Sequence, residues 1–450
     1  MGWPWQPGKH FVPQQCAVTA MKRTWLVLAA AIPLWGQRAS EGILDLVHGR
    51  TVDDLVSIAS QRNGDILAAQ QQVEAARGGL TQARLRANPS AELSGSKEVG
   101  GPQNTLLLGA SVPLELYHRR ERRMEVAAGG IRTADFERME RERQVRGEVE
   151  AKFGEVLAAL RNLRVIEDLL KLNQDALGLT QARADQGAAP PLDANLLLVE
   201  VNRIDSRRVD FEATLGVSVL ELKSLIGMKA EEQLQLRGVL EPQLLELTQD
   251  AAIQRALAAR PDLLAARAEE EVASAKLKQA QTEGRADASI SANYQRMDSS
   301  FDLNGLNSAG QLRPIQGVFH SIGAGVSVTL PVRNRNEGAI QIAVARMEEA
   351  RRRREYLELI VTREVLAAFL VQGKAKESLD IYSRGVRDQA SQNLDVIRKT
   401  YELGRTQLLD VIAEQRRFIE IETGYTEALN RSYQASVRVR TAAVLGVGGK

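Results

Sequence analysis

The sequence repeats itself, and this duplication limits the folds that the chain can adopt. The segment GDILAAQ from Gly64 matches PDLLAAR from Pro261, and AELS from Ala91 matches ASIS from Ala288 at the same offset. SVPLEL matches SVTLPV and QGAAPPLD matches LGRTQLLD at a larger offset, so the second half carries extra residues, which fall within 298–320. Because a repeat is one structural unit used twice, each half is predicted to contain a helix, a strand, a loop, a strand, a long helix, a glycine-containing turn and a helix.

The duplication also predicts the domain boundaries. The expected units are an upstream extension with a signal peptide at 1–39, a first repeat at 40–240, a second repeat at 241–446 and a short tail at 447–450. The predicted strands lie near 90–98 and 104–116, and near 287–297 and 319–332. The extra residues of the second half, within 298–320, are predicted to form a long loop between its two strands.

The second strand of each half carries the clearest β pattern. Apolar residues alternate with small or polar ones at Ile322, Ala324, Val326, Val328, Leu330 and Val332, and equivalent positions of the first half hold Leu106, Ala110, Val112 and Leu114. Alternation between an apolar face and a small face fits a strand between lipid and a lumen. The alternative is a half-buried hairpin of an ordinary soluble sheet.

Long helices should follow the strands. The segment from Arg119 to Gln186 contains no proline, and a continuous helix of that length would reach on the order of 100 Å. On the following helix, apolar residues recur at alternating spacings of four and three, at Leu197, Val201, Ile204, Phe211, Leu215, Leu222 and Leu225. The preceding helix has the same spacing at Val149, Phe153, Val156, Leu160 and Leu163. This 3.5-residue period predicts coiled-coil packing.

Composition and motifs exclude several classes of function. Lys and Arg number 59 against 57 Asp and Glu, and 4% of the residues are aromatic, so no basic surface for nucleic acid is expected. The four histidines are scattered, the single cysteine is Cys16, and no spacing of ligands or of a nucleophile and a base stands out. We therefore expect no enzyme activity, no cofactor and no metal site.

A leader is predicted ahead of the first repeat. The residues MKR at 21–23 precede an apolar run from Trp25 to Trp35, and small or polar residues follow. This order is typical of an export signal, and the run is too short to span a bilayer. No later segment approaches the ~18–20 consecutive apolar residues of a membrane helix. The mature chain is therefore expected to leave the cytoplasm after cleavage near residue 39.

Four strands are too few to close a membrane barrel. Backbone groups in lipid must all be hydrogen-bonded, so spanning strands must form a closed barrel, and the smallest outer-membrane barrels have about eight strands. Several copies of the chain must then contribute to one barrel. Three copies with twelve strands are the economical solution, and two or four copies remain geometrically open.

The ordered motifs resemble the TolC family of outer-membrane efflux proteins. The resemblance rests on the duplicated pattern, on the spacing of six residues from glycine to aspartate in both halves, and on YELGRTQLLDVI from Tyr401. It covers roughly residues 50–446. The segment LPVRNRNEGAI from Leu330 is further similar to the cation-efflux, CzcC-like branch of that family.

The resemblance implies a mainly α fold with a membrane β part. Duplicated coiled-coil hairpins would form a periplasmic tunnel, and four strands per chain would contribute to a 12-stranded barrel shared by a homotrimer. The implied function is a passive exit duct for small molecules or metal cations, embedded in outer-membrane lipid. Its implied partners are a periplasmic adaptor protein and an inner-membrane pump of the RND type. A duct for type I protein secretion and a periplasmic coiled-coil scaffold are the alternatives.

The resemblance also assigns roles to residues at the turns. Gly187, Gly404 and Arg405 match the tip that contacts the adaptor. Asp410, Tyr401, Asp193 and Glu414 match or neighbour positions at the tunnel entrance or gate. The family's second acidic position is Ala413 here, and Glu414 follows one residue later. In a trimer each aspartate would form a ring of carboxylates that attracts cations. Helix capping by the aspartates and simple helix reversal at the glycines are the structural alternatives.

Overall fold

A computed structural model describes residues 42–101, 103–241 and 247–445, which belong to one compact unit. The predicted leader at 1–39 and the predicted tail at 447–450 lie outside the described residues. Among the residues described, no helix combines the length and the apolar character that crossing a membrane requires.

The described residues form mostly helices together with one small antiparallel sheet, which confirms the predicted class of fold. The helices are α1 (Val52–Arg62), α2 (Gly64–Arg84), α3 (Arg119–Asp185), α4 (Pro191–Leu225), α5 (Gln249–Ala259), α6 (Pro261–Glu283), α7 (Glu337–Ile381), α8 (Arg387–Glu402) and α9 (Leu408–Ala442). The strands are β1 (Ser90–Lys97), β2 (Asn104–Pro113), β3 (Asp287–Leu306) and β4 (Leu312–Thr329).

Local chemistry sets the starts of the short helices. The Thr51 side chain accepts a hydrogen bond from the backbone N–H of Asp54, whose carboxylate accepts one in return, so α1 begins with a capping box. The side-chain oxygen of Asn63 accepts from the first turn of α2, while its amide nitrogen donates to the Leu225 carbonyl at 2.7 Å. Asn63 therefore caps one helix and joins it to the end of α4.

The predicted coiled-coil positions form the core between α3 and α4. The five apolar residues of the α3 pattern are all buried, as are Leu197, Val201, Ile204, Leu215 and Leu222 of α4. Phe211 and Leu225 are partly buried against the same core. The long α3 helix, with 67 residues, matches the predicted proline-free segment. The period of 3.5 thus identified both the helices and the faces that they bury.

The sheet has the order β1-β2-β3-β4, with antiparallel pairing throughout. The hairpin of the first half pairs with that of the second through β2 and β3. β1 and β4 are the edges of this four-stranded sheet.

The register aligns apolar residues on one face of the sheet. Leu93 lies opposite Leu108, Leu108 opposite Tyr294, and Tyr294 opposite Ile322. The other face carries mainly small or polar residues, such as Ser291 opposite Gly325. Ile322 is 87% exposed, so one protomer does not cover the apolar face.

The predicted long loop within 298–320 is wrong. β3 and β4 extend through most of this segment, with 20 and 18 residues, and only a short turn at 307–311 joins them. The polar side chains here interrupt the apolar alternation, but backbone pairing continues regardless, with a bulge between Phe301 and Asn304. The extra residues of the second half therefore lengthen its hairpin.

A kink that no sequence pattern predicts separates α7 from α8. Gly385 has φ +124° and Arg384 has ψ +16°, inside a π-helical segment over 382–386. Glycine tolerates this backbone conformation because it has no Cβ. The long helix of the second half is consequently broken, whereas its counterpart α3 is continuous.

Candidate functional site

Two turns with the same hydrogen bonding connect the long helices; we call 186–190 and 403–407 the tip turns. In the first, the N–H of Gly187 donates to the Ala184 carbonyl at 2.9 Å and that of Ala188 donates to the Arg183 carbonyl at 2.8 Å. In the second, Gly404 donates to Tyr401 and Arg405 to Thr400, at 2.8 and 3.0 Å. Both turns are Schellman motifs, so the two halves end their helices by the same chemistry.

The glycines of the tip turns are required by backbone conformation. Gly187 and Gly404 both have φ +72°. A Cβ at either position would meet no heavy atom within 4 Å, so packing does not select glycine there. Arg405 is exposed beside Gly404, and the described residues give its side chain no ion-pair partner.

The two aspartates occupy equivalent positions, the third residue of α4 for Asp193 and of α9 for Asp410. The Asp410 carboxylate accepts hydrogen bonds from the Thr406 hydroxyl at 2.9 Å and from the Gln407 N–H at 3.3 Å. Both bonds use Oδ2, so Oδ1 is left for other contacts. Capping of α9 by Asp410 is therefore present, and Asp410 is also exposed.

Asp193 is linked to the other half of the chain. The Tyr401 hydroxyl donates a hydrogen bond to Oδ2 of Asp193 at 3.4 Å. Burial raises the pKa of Tyr401, and the negative charge of Asp193 raises it further. The phenol stays protonated and able to donate at neutral pH. The structure thus brings together Asp193 and Tyr401 across the two halves.

Glu414 lies one helical turn after Asp410 on α9. Its Oε2 pairs with Arg417 at 2.9 Å, and its side chain is 13% exposed. Oε1 is buried and has no hydrogen-bond partner among the described residues. Glu414 is therefore far less accessible than Asp410 in one protomer.

An apolar cluster holds the tip turns together. Leu197, Leu408 and Ile412 are buried in it, and Tyr401 packs against it. Beside this cluster is a cavity of about 240 Å³, whose lining includes Asn173. The tip of α4 and the start of α9 therefore pack as one unit.

Sequence reasoning missed two buried carboxylates that connect the long helices. Glu200 of α4 is 1% exposed and binds Arg203 at 2.5 Å and Arg416 of α9 at 3.1 Å. Burial alone would raise the pKa of Glu200, but the hydrogen bonds from Arg203 and Arg416 outweigh it and lower the pKa. Glu200 lies three residues after Leu197, beside the predicted apolar positions of α4. A carboxylate at such a position is the sequence signal that could have indicated a buried ion pair.

The second carboxylate, Glu422, lies near the kink. It binds Arg161 of α3 at 3.1 Å and Arg387 of α8 at 2.6 Å. Both guanidinium groups also lie over the Tyr425 ring, at 5.1 and 5.4 Å from its centroid. This cluster joins α3, α8 and α9 immediately after Gly385. Nothing in the local sequence pattern marks it, because its members come from three distant segments.

The described residues contain no group of three or more His, Cys, Asp or Glu side chains that could hold a metal ion. The candidate site is thus a pair of turns and their helix ends, with exposed charge at Asp410 and Arg405 and buried ion pairs behind them. This arrangement can present charge to a passing ion or a partner protein.

Comparison with known proteins identifies the fold. The family model described as outer membrane efflux protein matches residues 55–228 and 252–444. The cobalt-zinc-cadmium resistance protein CzcC of Cupriavidus metallidurans is 22% identical over 391 residues, 86% of this chain and 88% of the relative. The crystal structure of CusC has a TM-score of 0.70 at 16% identity, covering 89% of this chain and 94% of CusC. VceC of Vibrio cholerae has a TM-score of 0.68 at 16% identity, covering 88% and 96%.

The matched family consists of transport ducts rather than enzymes. Its members are homotrimers that work with periplasmic adaptor proteins and inner-membrane RND pumps. They lie in the outer membrane and have a large periplasmic tunnel. The chain belongs to the outer membrane efflux protein family, and it is an outer-membrane exit duct of a tripartite efflux system.

Proposed function

We propose that three copies of the chain close a 12-stranded barrel, in which β1 of each copy pairs with β4 of the next. The support is the four-stranded sheet itself, whose edges are β1 and β4. In lipid such edges must be paired. The exposed apolar face, with Ile322, Val326 and Ile290, would then contact lipid, and the face with Ser291 and Gly325 would line the lumen.

Disulfide cross-linking tests this barrel. Ser94→Cys in β1 is combined in turn with Gly317→Cys, Ser321→Cys or Ser327→Cys, which lie on the same face of β4, and the outer-membrane protein is oxidised. At least one pair is expected to give covalent dimers and trimers, whereas Ser94→Cys alone is the matched control. Monomers from every pair would contradict the shared barrel.

We further propose that the whole tunnel entrance is built by the duplication, with repeats at 40–240 and 241–446 after an exported leader at 1–39. The equivalent Schellman turns and the equivalent aspartates support this division. Asp193, Tyr401, Asp410 and Glu414 form the entrance or gate, where threefold symmetry turns each exposed carboxylate into a ring that attracts cations. Asp410, with Oδ1 outside its capping hydrogen bonds, is the best placed of the four.

Single-channel recording tests the Asp410 ring. Asp410→Asn keeps the size of the side chain but removes three negative charges from the trimer, so block of the current by multivalent cations is expected to weaken. Asp395→Asn, which changes an exposed aspartate of α8, is the control. Unchanged conductance and unchanged block in Asp410→Asn would exclude a ring at this position.

The tip turns are proposed to contact the periplasmic adaptor. Gly187 and Gly404 leave open space above the turns, and Arg405 presents an exposed positive charge beside one of them. Arg405→Glu is expected to weaken co-purification with the adaptor encoded beside this gene. Arg255→Glu, on exposed α5 surface, should leave it unchanged. Equal recovery of the adaptor with Arg405→Glu and with Arg255→Glu would show that Arg405 does not contact the adaptor.

The transported substrate is proposed to be a divalent metal cation, delivered by an RND pump. The support is the similarity to a cobalt-zinc-cadmium resistance protein over 86% of the chain, together with LPVRNRNEGAI at the end of β4. Deleting the gene is expected to lower the tolerance of its host to zinc, cobalt and cadmium. If metal tolerance is unchanged, a lowered drug tolerance would indicate drugs as the substrate, and a loss of protein export would indicate proteins. Either result would contradict metal transport.

A further inference from the structure

Four junctions connect the helices to the sheet, and they carry an excess of arginine. The junctions are 84–86, 115–123, 283–287 and 333–337, which together we call the arginine belt. Their arginines are Arg84, Arg86, Arg119, Arg120, Arg122, Arg123, Arg285, Arg333 and Arg335. Their carboxylates are Glu115, Glu121, Glu283, Asp287 and Glu337. The belt is therefore positive, although the whole chain is close to neutral.

The strand register places the four junctions along one edge of the sheet. Ser90 lies opposite Ser111, Pro113 opposite Ser289, and Asp287 opposite Thr329. The helix-proximal ends of all four strands are thus level with one another. A homotrimer would repeat this edge three times around the circumference.

Several arginines of the belt have no carboxylate partner. Arg119 binds Asp287 at 2.9 Å and Arg123 binds Glu115 at 2.5 Å, and these pairs fix the junction of β2 with α3. The exposed arginines without an ion-pair partner among the described residues are Arg84, Arg86, Arg285, Arg333 and Arg335. Their guanidinium groups remain free to bind an anionic partner.

Exposed apolar side chains accompany these arginines. Leu330 and Val332 are 65% and 75% exposed just before Arg333, and Tyr117 is exposed beneath Arg285, whose guanidinium carbon lies 5.4 Å from the ring centroid. A tyrosine with apolar neighbours and a row of positive charge is the pattern of a membrane–water interface. An exposed arginine row without apolar neighbours would fit a free anion equally well.

We propose that the arginine belt binds the phosphate groups of anionic glycerophospholipids in the leaflet that faces the periplasm. This inference rests on the proposed barrel, which puts the sheet in lipid and the helices in the periplasm. Guanidinium groups bind phosphate through two parallel hydrogen bonds. Anionic lipid surfaces attract nearby arginines, so each free arginine adds to the preference for anionic over neutral lipid. The belt would fix the depth of the barrel in the membrane.

The test uses the full-length trimer in nanodiscs that contain equal amounts of phosphatidylglycerol and phosphatidylcholine. Lipids that stay bound after transfer to detergent are counted by native mass spectrometry. The variant is Arg86→Gln/Arg333→Gln/Arg335→Gln, and the matched control is Arg255→Gln/Arg363→Gln/Arg438→Gln, which changes three exposed helical arginines away from the sheet.

The wild type and the control are expected to retain phosphatidylglycerol about tenfold over phosphatidylcholine, and the belt variant less than about twofold. Equal retention of the two lipids by the wild type, or an unchanged preference in the belt variant, would overturn the proposal. Binding of inorganic phosphate by the wild type without any retention of phosphatidylglycerol over phosphatidylcholine would also overturn it, because the belt would then be a site for free phosphate.

Conductance of the same preparations in a neutral bilayer tests the barrel separately. If the wild type conducts but shows no preference for phosphatidylglycerol, lipid binding by the arginine belt is contradicted and the barrel is not. Absence of conductance in the wild type contradicts the barrel on which the belt depends.

Discussion

Tyr401, at the end of α8, donates its hydroxyl hydrogen bond to Asp193, in the first turn of α4, across 3.4 Å. The two residues belong to different halves of the duplicated chain, and the contact joins the helix ends next to the two tip turns. Because Asp193 lies in the first turn of its helix, its charge is also favourable for the helix dipole. The pair therefore stabilises one arrangement of the helix ends at the proposed entrance.

Tyr401→Phe should loosen this arrangement while keeping the ring in its apolar cluster. The lost hydrogen bond is long, so we expect a decrease of about 0.5 kcal/mol in the free energy of unfolding. Open-channel events should become more frequent, and planar-bilayer recordings measure them. Tyr356→Phe, at an exposed position of α7, is the control. An opening frequency equal to that of the wild type would show that the hydrogen bond between Tyr401 and Asp193 does not control opening.

Replacing the tip-turn glycines should destabilise the turns. Gly187→Ala and Gly404→Ala each force a Cβ into the left-handed region, which costs about 1 kcal/mol per site. Hydrogen exchange of the backbone amides over 183–193 and 400–410 should accelerate. Gly178→Ala, inside α3 and likewise with open space around it, should instead slow exchange, because alanine favours helix over glycine. Slower exchange in all three variants would contradict the assigned turns.

The sequence was most informative where packing repeats regularly. The 3.5-residue pattern from Leu197 to Leu225 predicted the buried face of α4, because burial between long helices follows a fixed period. It was least informative in β3 and β4 beyond residue 297. There polar side chains such as Ser299 and Ser300 interrupt the apolar alternation, and the backbone hydrogen bonds that extend the strands do not depend on the type of side chain.

Glu200→Gln should change how stability depends on pH. The pKa of Glu200 in the folded protein is below its ordinary value of 4.5, so the ionised carboxylate stabilises the fold fully above about pH 4.5. That contribution disappears as the pH falls through the folded pKa. The variant should therefore have a lower Tm than the wild type at pH 7, and the difference should narrow below pH 4.5.

The measurement for Glu200 is thermal unfolding followed by circular dichroism between pH 3 and 7, values chosen to bracket about 4.5. Glu231→Gln, at an exposed position, should show the same Tm as the wild type throughout. A Tm difference between Glu200→Gln and the wild type that stays constant with pH would show that the charge of Glu200 is not responsible.

Glu422→Gln should destabilise the junction after the kink. It leaves Arg161 and Arg387 facing each other without the carboxylate that both bind. Since both arginines are partly exposed, we expect a loss of about 2 kcal/mol, below the range for fully buried pairs. Urea unfolding measures this loss. Glu427→Gln, exposed on the same helix, should lose less than about 0.5 kcal/mol, and similar losses in both variants would contradict the assigned cluster.

The candidate site could be predicted only where single positions carry a signal. Gly187 and Gly404 mark turns because few other residues adopt their backbone conformation, and Asp193 and Asp410 follow them at the same spacing. The ion pair of Glu200 with Arg416 joins two helices far apart in the sequence. Neither residue type is unusual on a charged helix, so no local pattern distinguishes this buried contact from a solvated one.

Single-channel recording of the purified full-length protein in planar bilayers tests the exit duct most directly. Three copies that share one barrel and one tunnel should give discrete current steps from preparations of trimer, and none from monomer separated on the same column. A folded trimer that inserts into the bilayer without carrying current, under conditions where Tyr401→Phe is also silent, would contradict the duct.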